Sequence, residues 1–249
     1  ILLTDSYVEL AFAGFIGYAQ DTTIDSCTLT LNNANFGLLM SNINSNRKYA
    51  WVAGIIGVAN DSTTIKNTHI NLTNSEFILK EQNTSQKTNN QMGGFVGRTK
   101  GSFDKRATIS NCSFTAVNSN FSNLTQHYAS TGGIVGYSIY TNINNCSILL
   151  KNSCIKSYGE NVCNTVDYSV LSTGGMIGFS DPGSNNTTNI GSTGNKITNS
   201  TFTSNNTSQQ DVVCSIIKSG SEVTAGGLVG CSYNNFVIKD SSLYVIRGN

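Results

Sequence analysis

A short alternation of apolar and polar residues recurs six times along the chain, each time around a small residue that we call the anchor. The anchors are Cys27, Thr68, Cys112, Cys146, Ser200 and Ser241. A large apolar residue stands two positions after each anchor, and an apolar or small residue stands four positions after it. Alternation at every second residue is typical of a β-strand that buries one face. Each block therefore predicts one half-buried strand.

Polar residues at fixed distances from the anchor indicate where the chain turns. An Ile precedes every anchor by three positions, which is the wrong parity for the same strand, so the backbone has to bend between them. Asn, Asp or Ser stands just before the anchor, and Asn stands six positions after it in five copies. These side chains suit tight corners because Asn and Asp tolerate left-handed backbone angles. The predicted corner ladder consists of Asn67, Asn111, Asn145, Asn199, Asn33, Asn74, Asn118, Asn152 and Asn206.

A second motif, small-Gly-apolar-apolar-Gly, also recurs six times, and its final glycines are separated by 40, 40, 39, 42 and 52 residues. Such a period is typical of solenoids. Three short strands and two fixed corners per copy predict one coil of a triangular parallel β-helix. We therefore expect an all-β solenoid of about six coils in a single domain, 1–249. The approximate repeats are 7–48, 49–88, 89–127, 128–168, 169–221 and 222–249.

Charge and composition narrow the classes of function. The chain has 15 Lys+Arg against 14 Asp+Glu, so it lacks the basic stripe of a nucleic-acid binder. It contains 33 Asn, 31 Ser and 27 Thr, so amides and hydroxyls supply its polarity. Neutral side chains suit a stack of identical positions, because stacked like charges would repel. No apolar run approaches the ~20 residues of a membrane span, so we expect none within this segment.

One pair of motifs carries a family resemblance. Gly-Gly-Phe-Val-Gly at 93–97, followed by Ile-Ser-Asn-Cys-Ser-Phe at 109–114, resembles the GLUG-type repeats of bacterial and protist surface proteins, and the likeness covers 11–246. The resemblance implies a right-handed parallel β-helix, a secreted or cell-surface location and an adhesin-like or structural role. Right-handed winding also agrees with the general preference of parallel crossovers. The resemblance implies no catalytic residues and no cofactor.

Seven cysteines leave one without a partner if the others pair. Cys27, Cys112 and Cys146 occupy anchor positions, where we expect small buried packing residues. Cys163 and Cys214 precede successive glycine motifs by similar distances, so a disulfide between them is the first candidate in an oxidising compartment, with Cys154–Cys163 as the alternative. The absence of a Cys-x-x-Cys spacing argues against a zinc site.

Asn-x-Ser/Thr sequons are frequent, and those predicted to lie on loops or outward faces are the better acceptors for N-glycosylation. These candidates are Asn60, Asn71, Asn83, Asn123, Asn186 and Asn205.

Few residues are candidates for catalysis or for ligand binding. Asp21 and Asp61 form the one stacked carboxylate pair that the repeat predicts, and solvated turn residues explain them better than acid–base catalysis. Tyr49 and Trp51 could offer a face for a sugar, although packing explains such residues more often.

We therefore expect a non-enzymatic extracellular structural or adhesive module. Because neither end carries the polar cap that a solenoid needs, we expect either a segment of a longer chain or end-to-end self-association through the terminal coils, as in a filament. The other expected partner is a host or surface glycan or protein. The alternative is a carbohydrate-binding β-helix or a polysaccharide lyase or hydrolase.

Overall fold

A computed structural model describes residues 2–3, 8–41, 48–82, 88–125, 128–159, 171–181, 194–210, 212–217, 223–233 and 236–248. Across these ranges the chain forms 30 β-strands and no helix. Every strand pairing is parallel, and the strands assemble into five six-stranded sheets. This all-β arrangement of stacked parallel strands is consistent with a β-solenoid.

The strands follow one another in the same order in each coil. Strand β1 (Leu2–Leu3) comes first. The first coil contains β2 (Val8–Ala13), β3 (Ile16–Gln20), β4 (Thr23–Asp25), β5 (Thr28–Asn32) and β6 (Asn35–Ser41). The second contains β7 (Lys48–Ala53), β8 (Ile56–Asn60), β9 (Thr64–Lys66), β10 (His69–Thr73) and β11 (Glu76–Gln82). The third contains β12 (Thr88–Gly93), β13 (Val96–Lys100), β14 (Ala107–Ser110), β15 (Ser113–Val117) and β16 (Asn120–Thr125).

The remaining coils keep this order. The fourth contains β17 (Tyr128–Gly132), β18 (Val135–Ile139), β19 (Thr141–Asn144), β20 (Ser147–Lys151) and β21 (Cys154–Gly159). The fifth contains β22 (Leu171–Gly174), β23 (Ile177–Asp181), β24 (Lys196–Thr198), β25 (Thr201–Gln210) and β26 (Val213–Ile217). The sixth contains β27 (Val223–Gly226), β28 (Val229–Ser232), β29 (Val237–Lys239) and β30 (Ser242–Gly248).

We number the five sheets by their order within a coil. Sheet I contains β2, β7, β12, β17, β22 and β27, and sheet II contains β3, β8, β13, β18, β23 and β28. Sheet III contains β4, β9, β14, β19, β24 and β29, and sheet IV contains β5, β10, β15, β20, β25 and β30. Sheet V contains β1, β6, β11, β16, β21 and β26.

The prediction of three strands per coil is wrong, because each complete coil has five. The glycine motif forms a bend that separates two strands, as at Gly54 and Ile55 between β7 and β8. The Ile three positions before the anchor lies in its own short strand of sheet III, as Ile65 does in β9.

The core is a set of columns in which equivalent residues stack from coil to coil. Ile65, Ile109 and Ile143 are register partners in sheet III and are at most 1 % exposed. In sheet V, the ring centroids of Phe36 and Phe77 are 4.9 Å apart and those of Phe77 and Phe121 are 4.8 Å apart. Both distances are typical of favourable edge-on aromatic contacts. Regular stacking therefore buries one continuous core.

The glycine bend points into this core. The residue at its apex is buried, as Ile55 and Phe95 are, both at 0 % exposure. The second glycine of the motif lies so close to the next coil that a Cβ on Gly94 would be 2.1 Å from the Gly133 oxygen. The last glycine packs on sheet I, where a Cβ on Gly97 would be 2.8 Å from the Val52 nitrogen. Because the bend turns inward, the outer faces of sheets I and II converge and form a groove along the stack, which we call the I–II groove.

Left-handed residues form the corners on both sides of sheet IV. Before the anchor these residues are Ser26, Asn67, Asn111, Asn145, Asn199 and Asp240, and after sheet IV they are Asn33, Asn74, Asn118 and Asn152. Amides stack along both corners: Asn145 Nδ2 donates to Asn111 Oδ1 at 2.8 Å, and Asn152 Nδ2 donates to Asn118 Oδ1 at 3.2 Å. The corners therefore consist of hydrogen-bonded ladders.

The prediction that Asn206 belongs to the second ladder is wrong. Asn206 lies inside β25, is 2 % exposed and has no left-handed backbone angle. The register between β25 and β30 shifts after Asn205, and the backbone N–H of Thr207 donates to Asn152 Oδ1 at 2.7 Å. The extra length of β25 therefore replaces the amide of the fifth coil with Thr207.

The anchor side chains tie one coil to the next. Ser200 Oγ donates to the Thr198 carbonyl at 2.8 Å and accepts from the Cys146 N–H at 3.1 Å. Cys112 Sγ makes the equivalent contact to the Ser110 carbonyl at 3.1 Å. Cys, Ser and Thr are therefore interchangeable at this position, because each is small and carries a donor hydrogen.

Candidate functional site

The I–II groove gathers aromatic and cationic side chains from both walls. On sheet I one outward row near the bend contains Ala11, Trp51, Gln91, Ser130, Ser172 and Thr224. On sheet II the outward row consists of the residues that follow the last glycine of each motif: Tyr18, Val58, Arg98, Tyr137, Phe179 and Cys231. The walls differ in chemistry from coil to coil, unlike the core columns.

Arg98 bridges the two walls near the middle of the groove. Its guanidinium carbon is 5.8 Å from the centroid of the Trp51 ring and 5.0 Å from that of Tyr137. No carboxylate among the described residues forms an ion pair with Arg98. Desolvation lowers the pKa of Arg98, although the guanidinium remains charged at neutral pH. Two ring faces lie directly against it, and the charges of Asp181 and Glu9 act on it without an ion pair.

Lys100 adds a second cation. Its Nζ is 5.3 Å from the centroid of the Trp51 ring, so both cations lie against the same indole. Burial, followed by the charge of Arg98, lowers the pKa of Lys100. The carboxylate of Asp181 accepts a hydrogen bond from the Tyr137 hydroxyl, and burial together with this carboxylate raises the pKa of Tyr137 well above its usual range.

Several polar atoms along the groove are buried and have no hydrogen-bond partner. They are Trp51 Nε1, Asn60 Oδ1, Gln91 Oε1, Arg98 Nε, Ser172 Oγ and Thr224 Oγ1. Trp51 is 4 % exposed and Gln91 is 1 % exposed. Buried polar groups normally have a partner, so their concentration here points to a water or a ligand atom in the groove.

The structure places Tyr49 and Trp51 together, with ring centroids 5.8 Å apart and planes at 15°. Trp51 is covered by the two cations, so its indole forms the base of the groove instead of an open stacking face. Tyr49, Tyr137 and Arg98 are half-buried at the opening, and Tyr18 is exposed.

Asp21 and Asp61 lie at a different corner, between sheets II and III. Both have left-handed backbone angles, with φ of 47° and 49°. Gln20 Nε2 donates to Asp61 Oδ2 at 3.0 Å, and the Ser62 N–H donates to Asp21 Oδ1 at 3.4 Å. These carboxylates shape and join successive turns.

The glycosylation candidates fall in different environments. Asn71 is half-buried on the outer face of sheet IV, Asn205 is exposed and Asn60 lies in the I–II groove. The predicted outward or loop position of Asn123 is wrong: its side chain is 0 % exposed and its Nδ2 donates to the Asn90 carbonyl at 3.3 Å. Asn123 points inward because it shares strand parity with buried Phe121. Asn83 and Asn186 lie outside the described residues.

The structure describes only some of the cysteines for which the sequence makes predictions. Cys112 and Cys146 are each 2 % exposed in the anchor column, and Cys27 is half-buried there. Cys214 lies beside Lys156 in sheet V. Cys163, the predicted partner of Cys214 and the alternative partner of Cys154, lies outside the described residues.

Within the described ranges, no group of three or more His, Cys, Asp or Glu side chains is arranged to hold a metal ion. No helix in that part of the chain is long and apolar enough to cross a membrane. Comparisons with protein-family models, curated proteins and solved structures find no match.

Sequence reasoning missed the groove and a second internal ladder. In that ladder Ser75, Ser119 and Ser153 follow the corner Asn residues, and the Ser119 N–H donates to Ser153 Oγ at 3.0 Å. The available signal was the Ser that recurs one position after the second corner in the second, third and fourth coils. For the groove, the signal was the large side chain after each motif's last glycine, as in Arg98 and Tyr137.

Proposed function

We propose that the protein is a right-handed parallel β-helix that serves as a non-enzymatic structural or adhesive module at the cell surface or outside the cell. The observation that carries this proposal is that the recurring polar side chains hydrogen-bond successive coils to one another. Asn111 is joined to the coils on both sides through Asn67 and Asn145, at 3.3 and 2.8 Å. Residues with reactive side chains, such as Cys112 and Asp61, take part in the same framework.

The resemblance of the glycine and anchor motifs to GLUG-type surface repeats supports this location and role. The right-handed winding that we propose agrees with the general preference of parallel crossovers. Self-association through the terminal coils fits the same proposal. Leu243 and Tyr244 in the sixth coil are 49 % and 61 % exposed, and Phe15 and Tyr18 in the first coil are 46 % and 56 % exposed.

The I–II groove favours binding as the alternative function, because it combines aromatic rings with two cations. A polysaccharide-degrading activity has less support. Glycosidases place two carboxyl groups on either side of one scissile bond, whereas Asp21 and Asp61 are engaged in turns.

Two assays test the proposal. Antibodies against this segment should label intact, unpermeabilised source cells, and labelling only after permeabilisation would contradict it. The purified protein should release no reducing ends from a panel of neutral, carboxylated and sulfated polysaccharides. Sustained release that scales with protein concentration would instead establish the enzymatic alternative.

A further inference from the structure

Arg98 and Lys100 are two neighbouring cations that share one aromatic base, and neither forms an ion pair among the described residues. The charges of Glu9 and Asp181 act on Arg98, and that of Glu9 acts on Lys100, without forming an ion pair. The other outward positions of the groove do not repeat this pair: Val58 replaces Arg98 in the second coil and Tyr137 does so in the fourth. Removing like charges from water is unfavourable unless an opposite charge compensates. Glu9 and Asp181 do not pair directly with these cations, and Asp181 accepts a hydrogen bond from Tyr137, so a bound anion would supply the direct partner.

The opposite wall supplies further unsatisfied groups. Trp51 Nε1 is a buried donor without an acceptor, and Gln91 Oε1, on the neighbouring strand in register, is a buried acceptor without a donor. A ligand that offers hydroxyl groups satisfies both kinds of atom, because each hydroxyl donates and accepts. Aromatic rings lie beside these atoms: Tyr49 stacks on Trp51 and Tyr137 stacks on Phe179, with centroids 5.8 and 5.1 Å apart.

The groove runs along the stack with about 4.8 Å between coils, so it suits an extended chain-like ligand. Taken together, the groove offers direct contacts to a negatively charged group and to several hydroxyl groups, beside aromatic rings. We propose that the I–II groove binds an acidic saccharide, with a carboxylate or sulfate held by Arg98 and Lys100 above the Trp51 indole. This inference rests on the proposed adhesive role and gives that role a ligand.

Trp51 is the single tryptophan of the chain and forms the base of the groove, so its fluorescence reports binding at this site. We expect a saturable change in Trp51 fluorescence when the full 249-residue chain is titrated with a galacturonic-acid oligomer. The affinity should fall as salt is added, because the contacts are ionic. A chondroitin sulfate oligomer forms the second arm, and maltohexaose and poly-glutamate are the controls.

The two acidic arms distinguish the anionic group. A response to the galacturonate oligomer assigns a carboxylate. A response to chondroitin sulfate alone, which carries both a carboxylate and a sulfate, assigns a sulfated acidic saccharide, and either result supports the proposal. The proposal is overturned if neither acidic oligomer gives a saturable response, if maltohexaose binds equally well, or if poly-glutamate binds and the acidic saccharides do not.

The variants use a matched control. Arg98→Met keeps an apolar cover over Trp51 and should weaken binding about 10-fold, the usual scale of one charge-assisted contact. Arg106→Met removes the same charge from a guanidinium that lies over Phe103 and Tyr140, at 5.5 and 5.4 Å, and should change the affinity less than about 2-fold. Equal weakening by both variants would show that only the net charge of the protein affects binding, and it would contradict the proposed site.

Lys100→Met is the second variant if Arg98→Met does not fold, and it should weaken binding several-fold. Unchanged binding in a folded Lys100→Met protein would contradict the two-cation site. A failed titration leaves the surface-labelling and reducing-end results untouched. A failure of surface labelling leaves a measured saccharide affinity in place, so the two proposals fail separately.

Discussion

Asn145 donates its Nδ2–H to Oδ1 of Asn111, one coil away, at 2.8 Å. Both residues have left-handed backbone angles, with φ of 51° and 54°. One side chain type thus performs two tasks, since it tolerates the corner and links the corner to the next coil. Each Asn in the ladder contributes through backbone conformation and through hydrogen bonding.

These two contributions can be separated at Asn111. Asn111→Ala should lower the free energy of unfolding by about 2–3 kcal/mol, because Ala disfavours the left-handed angle and removes the ladder contacts. Asn111→Gly restores the backbone freedom and should lower it by only about 1 kcal/mol. Urea unfolding followed by circular dichroism measures both. Equal losses in the two variants would contradict the backbone contribution, and Asn71→Ala on the outer strand face is the control.

The close approach at the glycine bend predicts a severe effect at Gly94. A Cβ there would be 2.1 Å from the Gly133 oxygen, and backbone cannot move aside without separating two coils. Gly94→Ala should cost about 3 kcal/mol or more, or prevent folding. Gly17→Ala is the milder comparison, because its nearest atom would be the Ala11 oxygen at 3.0 Å. Thermal melting that ranks Gly17→Ala below Gly94→Ala in stability would overturn this explanation.

At the anchor positions we expect the stability of the fold to depend on a side chain that donates a hydrogen bond, and not on sulfur itself. Cys112→Ser should change stability by less than about 1 kcal/mol, because Ser200 already makes the same contact in the fifth coil. Cys112→Val leaves the Ser110 carbonyl without the contact that Cys112 Sγ makes at 3.1 Å and should cost about 1–3 kcal/mol. Denaturant unfolding measures both variants, and a Val variant as stable as the Ser variant would contradict the role of the donor.

Because the pKa of Asp25 is lowered in the folded protein, we expect the fold to lose stability in acid. A hydrogen bond from Asn67, then contacts from Lys66 and Ser26, lower the pKa of Asp25 below its ordinary value of 3.8. A lowered folded-state pKa stabilises the fold above the unfolded-state pKa, and that contribution disappears as the pH falls through the folded-state pKa. Wild-type unfolding curves between pH 6 and pH 2 should therefore show a larger acid loss than those of Asp25→Asn. Parallel curves would contradict this contribution.

The corners were predictable because their cause is local. Asn67 and Asn118 stand at bends that the change in strand parity reveals, and the left-handed angle follows from the side chain itself. The number of strands was not predictable in the same way. The glycine motif has the composition of a turn or of a closely packed strand, and only the coils stacked beside Gly94 show which one it is.

The groove depends on relationships that lie beyond the repeat. Trp51 and Arg98 are in different coils and on different sheets, and they meet because the bend turns into the core. Similarly, Asn206 has the sequence position of a corner, yet the length of β25 carries the strand past it. Sequence spacing therefore predicted where a residue lies within a coil, but it did not predict which sheets face each other.

Contacts between the Ile side chains of sheet III test the stacked coil most directly. Ile65, Ile109 and Ile143 are register partners, although 44 and 34 residues separate them in sequence. In a deuterated protein with labelled Ile methyl groups, nuclear Overhauser contacts should connect Ile65 with Ile109 and Ile109 with Ile143, but not Ile65 with Ile143. Absence of the two neighbouring contacts, or contacts in a shifted register, would contradict the in-register parallel stack.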